Sequence, residues 1–153
     1  MSIGNFGKPE VAAEYARERM FALGDDLALL RDAAALTGSE WVVDIGTAAG
    51  HTALALAPGA RHVLGLDPAE AMFRQARRLA AERGVANVDF AVAFADPLPC
   101  RPGSVDLATC RLAAHHFPDL PGAIFEVERT LRPGGRFLII DTISPEDEAL
   151  DEF

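Results

Sequence analysis

Between Asp44 and Gly50 the chain reads Asp-Ile-Gly-Thr-Ala-Ala-Gly, and seventeen residues after that last glycine stands Asp67. Small residues let a backbone turn pass close to a bound molecule, and Gly46 can take turn geometries that a side chain forbids. Amides left free at the start of a following helix then face the ligand. An acid about 20 residues beyond such a turn is placed to accept hydrogen bonds from both hydroxyls of a ribose. A glycine run alone is a weak signal. Together with a strand before it, a helix after it and the distant acid, it points to an adenosine-containing cofactor.

The elements needed to hold that turn are present. Trp41–Ile45 is a short β-branched run stopped by Gly46, as expected of a buried strand, and His62–Asp67 reads the same way. Further strands are predicted at 87–92, 105–110 and 136–143, the last introduced by Pro133-Gly134-Gly135. Helices are predicted at 52–57, from Pro68 to about Gly84, and at 120–131 with Ile124, Val127 and Leu131 facing inward. Two more precede the first strand. One opens at Pro9 with Val11, Tyr15 and Ala16 at helical spacing; the other is capped by Asp25 or Asp26, buries Leu27, Leu30 and Ala34, and ends near Gly38. Alternating helices and strands imply an α/β fold with a Rossmann-like parallel sheet in the order 3-2-1-4-5. Its ligand crevice lies at the switch point between the first and fourth strands.

Composition narrows the function. At 153 residues the chain suits one domain with a substantial core. No apolar run approaches the ~18 residues that span a bilayer, and Met1 to Pro9 lacks the layout of a signal peptide, so a cytoplasmic protein without membrane contact is expected. The net charge of −9 argues against nucleic acid as a partner. Cys100 and Cys110 sit in no metal-binding or disulfide pattern and read as free thiols. No metal is expected, since no third ligand accompanies His115-His116. The expected organisation is a helical cap over 1–38, a cofactor-binding core over 39–144 and an acidic tail over 145–153.

In this frame the motifs resemble those of class I S-adenosylmethionine-dependent methyltransferases. Val42 to Gly50 resembles their motif I, and Gly65-Leu66-Asp67-Pro68-Ala69-Glu70-Ala71-Met72 their motif II. The likeness continues through Leu98-Pro99, Ser104 to Arg111, His115-His116-Phe117 and Leu131-Arg132-Pro133-Gly134-Gly135-Arg136, and is greatest to the ubiquinone and menaquinone C-methyltransferase branch. The resemblance implies S-adenosylmethionine as cofactor. It implies that Asp44 helps hold the methionine ammonium through water, that Gly46, Thr47, Ala48 and Gly50 border the methionine part, and that Asp67 takes the ribose hydroxyls. Pro68 would pack on the adenine, Tyr15 would close over the carboxylate end, and the Arg111 carbonyl would meet the ammonium.

Three departures from the family pattern carry expectations of their own. Ala48 replaces the usual middle glycine, which is compatible with the turn only if its φ stays negative. Phe94 stands where the family has an acid for the adenine amino group, leaving Phe94, Ala95 and Asp96 as the adenine-side candidates, either by stacking or by Asp96 as substitute acceptor. The family's last two strands are missing, which leaves the fifth strand as a bare edge and leads us to expect a homodimer across it. His115 is the candidate general base or substrate contact, with a helix-terminal role as the alternative. Asp141 reads as a cap or as a substrate contact, His51 as a surface residue, and Phe6, Phe117 and Phe125 as core or lid residues. Two functions follow: a methyltransferase using SN2 transfer to a small molecule, or a catalytically weak, truncated relative serving as a cofactor-binding or scaffold module completed by a partner. A nicotinamide-linked dehydrogenase fits less well, because the turn lacks its third glycine at the usual spacing.

Overall fold

The computed structural model describes residues 24–142. The helix expected from Pro9, with Tyr15, and the acidic tail lie outside them. Helix α1 (Asp25–Ala34) precedes β1 (Trp41–Ile45), α2 (His51–Leu56), β2 (His62–Asp67), α3 (Ala71–Glu82), β3 (Val88–Val92), β4 (Val105–Arg111), α4 (Leu120–Thr130) and β5 (Leu131–Ile140). The strands form one parallel sheet in the order β3-β2-β1-β4-β5, as the alternation of elements predicted.

Both faces of the sheet are covered, which is why its central strands are apolar almost throughout rather than alternating. Val42, Val63 and Leu107 point to one side, where they pack with Leu30, Leu56, Met72 and Phe73 from α1, α2 and α3. Val43, Ile45, Leu66, Ala108 and Cys110 point to the other, against Leu98 and Val127.

Several boundaries and faces differ from the periodicity-based expectations. No aspartate caps α1: its N-cap is Gly24, which makes no side-chain bond, and Asp26 is instead drawn to Arg111. The helix ends at Ala34, where Ala35 enters the left-handed region at φ 43°. On α4 the buried residues are Ala123, Val127 and Thr130, while Ile124 is 46% exposed. Asp119 fixes that phase by accepting a hydrogen bond from the Gly122 amide at 3.0 Å. Strand β5 begins five residues early because Val105 pairs with Leu131 and Leu107 with Arg136, so the Pro-Gly-Gly segment forms an irregular bulge inside the strand.

Arg136, on β5, donates to the Ala33 and Ala34 carbonyls and closes the end of α1. Arg111, at the end of β4, holds the other end of that helix through both oxygens of Asp26. Two arginines on neighbouring strands therefore fix α1 along the sheet.

Candidate cofactor and acceptor site

The turn after β1 is latched to the end of β2. The Gly46 and Thr47 amides both donate to the Leu66 carbonyl, at 2.8 and 2.9 Å. Next to them Asp67 Oδ2 accepts from the Ala48 amide at 2.9 Å and Oδ1 from the Ala69 amide at 2.8 Å. Gly46 (φ 72°) is required twice over: a Cβ there would lie 2.3 Å from Ala113 Cβ. Ala48 departs from expectation, with φ 46° rather than negative. Alanine enters this region at a cost of about 1 kcal/mol, which the amide bond to Asp67 offsets.

Behind the turn, Asp44 is 1% exposed. Its Oδ1 accepts from the Thr109 hydroxyl at 2.7 Å, while Oδ2 has no hydrogen-bond partner among the described residues. Burial pushes the carboxyl up to about 6, against the pull of the neighbouring Thr47 and Thr109 hydroxyls and of positive Arg111. Burial also raises Asp67, against the two amides it accepts.

A cavity of about 240 Å³ opens at the carboxyl ends of β1, β2 and β4. This is the switch point at which ligands bind in such sheets. Gly46, Ala48, Asp67 and Pro68 line one side, with Phe94, Ala95 and Asp96 beyond them. The opposite wall is Leu112 to Ala113 and His116 to Asp119. Leu112 has φ 54°, an outlier for a branched side chain. Its amide is tied to the Ile140 carbonyl at 2.7 Å.

Of the residues singled out from sequence, Asp44, Thr47, Gly50 and Arg111 stand behind this lining rather than in it. Gly50 (φ 80°) instead lets α2 sit against Phe90 and Ala76, since a Cβ there would come within 2.9 Å of the Phe90 ring. The Arg111 side chain is committed to Asp26. His115 turns out of the cavity: its Nδ1 lies 2.6 Å from Asp141 Oδ1, and its amide donates to Asp141 Oδ2 at 3.1 Å. His116 takes the mouth instead. In sequence the two histidines are equivalent; only the tight 3₁₀ turn Ala114–His116 and the position of Asp141 separate them. His51 is buried, not on the surface, because almost every residue of short α2 packs inward. Phe125 is 68% exposed on the outer face of α4, whereas Phe117 lines the cavity. Met72, at the end of the motif II stretch, joins the lining, as does Asp119, which no sequence signal marks.

The donor set suits a positively charged cofactor that carries a ribose. Among the described residues the lining holds Asp67, Asp96 and Asp119 but no lysine or arginine, and one oxygen of buried Asp44 has no hydrogen-bond partner there. Among the described residues no group of histidine, cysteine, aspartate or glutamate is arranged to hold a metal ion, and no helix is long and apolar enough to cross a membrane.

Residues 43–139 match the methyltransferase domain family, and the chain belongs to it, as a class I S-adenosylmethionine-dependent methyltransferase fold with that molecule as cofactor. Among its relatives, the uncharacterized methyltransferase YcgJ of Bacillus subtilis is 45% identical over 142 residues, covering 93% of this chain and 56% of YcgJ. The demethylmenaquinone methyltransferase of Thermus thermophilus is 36% identical over 143 residues, covering 89% of this chain and 64% of that enzyme. The crystal structure of YcgJ superposes with a TM-score of 0.78 over 84% of this chain and 55% of its own. The chain thus spans little more than half the length of YcgJ.

Proposed function

We propose that the protein transfers a methyl group from S-adenosylmethionine to a small-molecule acceptor. The observation that carries this reading is the doubly amide-bound Asp67 carboxylate facing a cavity at the sheet's switch point. Both oxygens of Asp67 keep lone pairs free for ribose hydroxyls, and the amides aim them. Pro68, Phe94 and Ala95 form an apolar bed for the adenine, and Asp96 stands beside it as acceptor for the amino group. Asp44, behind the turn, supplies negative charge toward the ammonium, with Gly46 to Gly50 bordering the methionine part. The bound cofactor supplies a methyl group already activated on a sulfonium. The protein's task is to align the acceptor's nucleophilic atom with it and to exclude water.

The relatives' names favour a small acceptor, among them quinone precursors and arsenite. The outer edge of β5 pairs with no strand among the described residues, and Ile139 on it is 46% exposed. The reading therefore includes a second copy of the chain across that edge, to be checked by sedimentation at micromolar concentration. It places the protein in the cytoplasm, a setting that suits the free thiols Cys100 and Cys110.

Calorimetric titration with S-adenosylmethionine and S-adenosylhomocysteine tests the cofactor step. Binding of both is expected, weakened in Asp67→Asn. Failure of either to bind at about millimolar concentration, where only some 4 kcal/mol of binding energy is needed, sinks the reading. The alternative, a cofactor-binding module without turnover, uses the same cavity. Transfer of labelled methyl to a quinol or phenol separates the two.

A further inference from the structure

Resting on the proposed place of Asp44 at the methionine end of the cofactor, we infer that Asp44 keeps its proton in the free protein and releases it to solvent when the cofactor's ammonium arrives. Binding is then an exchange of one positive charge for another, and its strength depends on pH.

The sheet itself creates the arrangement. On β1, Asp44 is paired with Thr109 of β4 on one side and Gly65 of β2 on the other. The Thr109 hydroxyl donates to Oδ1 at 2.7 Å. On the opposite flank Gly65 leaves room for the Thr47 side chain to fold back from the turn. A Cβ on Gly65 would lie 2.9 Å from both Thr47 Oγ1 and Thr47 Cγ2. Two neutral hydroxyls thus flank the carboxyl, yet Oδ2 and the buried Thr47 Oγ1 have no hydrogen-bond partner among the described residues. A carboxylate buried with one hydrogen bond is costly, and holding a proton removes most of that cost.

The charged neighbours pull in both directions. Arg111, two residues beyond Thr109 and so on the same face of β4, favours the ionised form. Its guanidinium is shared with Asp26 of α1, through Nε and Nη2. Asp67, at the end of β2, favours the protonated form. Cys110, pushed up to about 12 chiefly by burial, stays a neutral thiol. Burial outweighs Arg111 and both hydroxyls, which is why the carboxyl titrates at about 6. An ammonium supplies what the hydroxyls cannot, a full positive charge for the ionised form. The O–H bond of the carboxyl breaks, its electron pair stays on Oδ2, and the proton passes to water. The methyl group takes no part, so S-adenosylhomocysteine undergoes the same exchange.

The experiment is calorimetric titration of the full chain with two ligands, S-adenosylhomocysteine and 5′-methylthioadenosine, which keeps the adenosine and the thioether but carries no ammonium. Asp67, Asp96, Asp119 and His116 line the cavity that takes the nucleoside, so their titration acts on both ligands. S-adenosylhomocysteine should bind about tenfold more weakly at about pH 5 than at about pH 7.5, as expected of a carboxyl that titrates at about 6 before binding and well below that after. At about pH 6, comparison of phosphate with Bis-Tris buffer should show about half a proton released per S-adenosylhomocysteine bound and none per methylthioadenosine. Asp44→Asn should bind S-adenosylhomocysteine about tenfold more weakly at about pH 7.5, with the pH dependence gone. The inference is overturned if S-adenosylhomocysteine affinity is level across this range, if methylthioadenosine loses as much affinity, or if Asp44→Asn keeps the slope. Should that variant fail to fold, the proton count of the wild-type chain with the two ligands decides. Failure of both ligands to bind at any pH counts against the cofactor reading itself; binding of both with one common pH dependence leaves that reading standing and removes the exchange alone.

Discussion

The two walls of the cavity are built by opposite means. On the β1–β2 side, main-chain amides of Gly46, Thr47, Ala48 and Ala69 close onto the Leu66 carbonyl and the Asp67 carboxylate, and almost everything is buried. On the β4–β5 side, the shape is set by side-chain pairs between distant segments, His115 with Asp141 and Arg111 with Asp26, and by the forced backbone of Leu112. The first wall is a backbone mould whose partners lie close in sequence or on adjoining strands. The second depends on where separate elements come to rest. A fixed mould suits a constant cofactor; a wall of side chains can change with the acceptor while the sheet stays the same.

The walls also titrate in opposite senses. Asp44 and Asp67 are raised by burial. Burial acts upward on Asp141 too, but hydrogen bonds from His115 and the Thr142 amide outweigh it and leave that carboxyl below its ordinary value.

The strongest test of the mould is Gly46→Ala, which places a methyl on Ala113 and demands a strained φ, so it joins both walls in one clash. A stability loss of about 3 kcal/mol is expected, read from denaturant midpoints at constant slope; a loss below ~1 kcal/mol would show that the walls can part freely. Next in size is the pH dependence of Asp44. With a folded pKa of about 6 against 3.8 unfolded, the folded state binds more protons between those values. Stability therefore falls as pH rises through that window, by about 3 kcal/mol at full effect. Denaturation at several pH values should show this slope, and Asp44→Asn should flatten it. Asp141 acts the other way: its contribution is present above its unfolded pKa and is lost as pH falls through the lower folded one.

Asp67→Asn keeps the size but loses the charge and one of the two acceptors for the Ala48 and Ala69 amides, and cofactor affinity should drop by about thirtyfold, some 2 kcal/mol for a hydrogen bond to a charged group. An unchanged affinity would remove Asp67 from the ribose. The smallest effect is expected from Ala48→Gly, which relieves the left-handed alanine and should stabilise the chain by up to about 1 kcal/mol. A loss of stability would mean that the Ala48 methyl, which lines the cavity, contributes packing that outweighs its strain.

The β1–β2 wall of the cavity was largely readable from residue types. Val42 to Gly50 and Asp67 carry it, because a strand, a glycine turn and a strand-end acid are each set by local chemistry, and the parallel crossover leaves one way to join them. The sheet order and the bounds of β1 and β2 followed from the same logic. The other wall was not readable. Nothing local distinguishes His115 from His116, or an exposed from a buried His51. Spacing misassigned Ile124 for a related reason: a shift of one residue on α4 satisfies the apolar pattern nearly as well, and the Asp119 cap decides between them.

The amino-acid pattern therefore settles the architecture, because short-range rules of glycine geometry, β-branched runs and crossover handedness suffice for it; the turn and Asp67 point to an adenosine-containing cofactor, and only the motif resemblance makes that S-adenosylmethionine. Which histidine lines the cavity, why Ala48 can hold a positive φ, and where Arg111 spends its charge are settled only when β4, β5 and α1 meet. Each depends on a partner brought from another part of the chain, Asp141 for His115, Asp67 for Ala48 and Asp26 for Arg111. A polar side chain takes the partner that burial leaves within reach, and that choice exists only in the packed molecule.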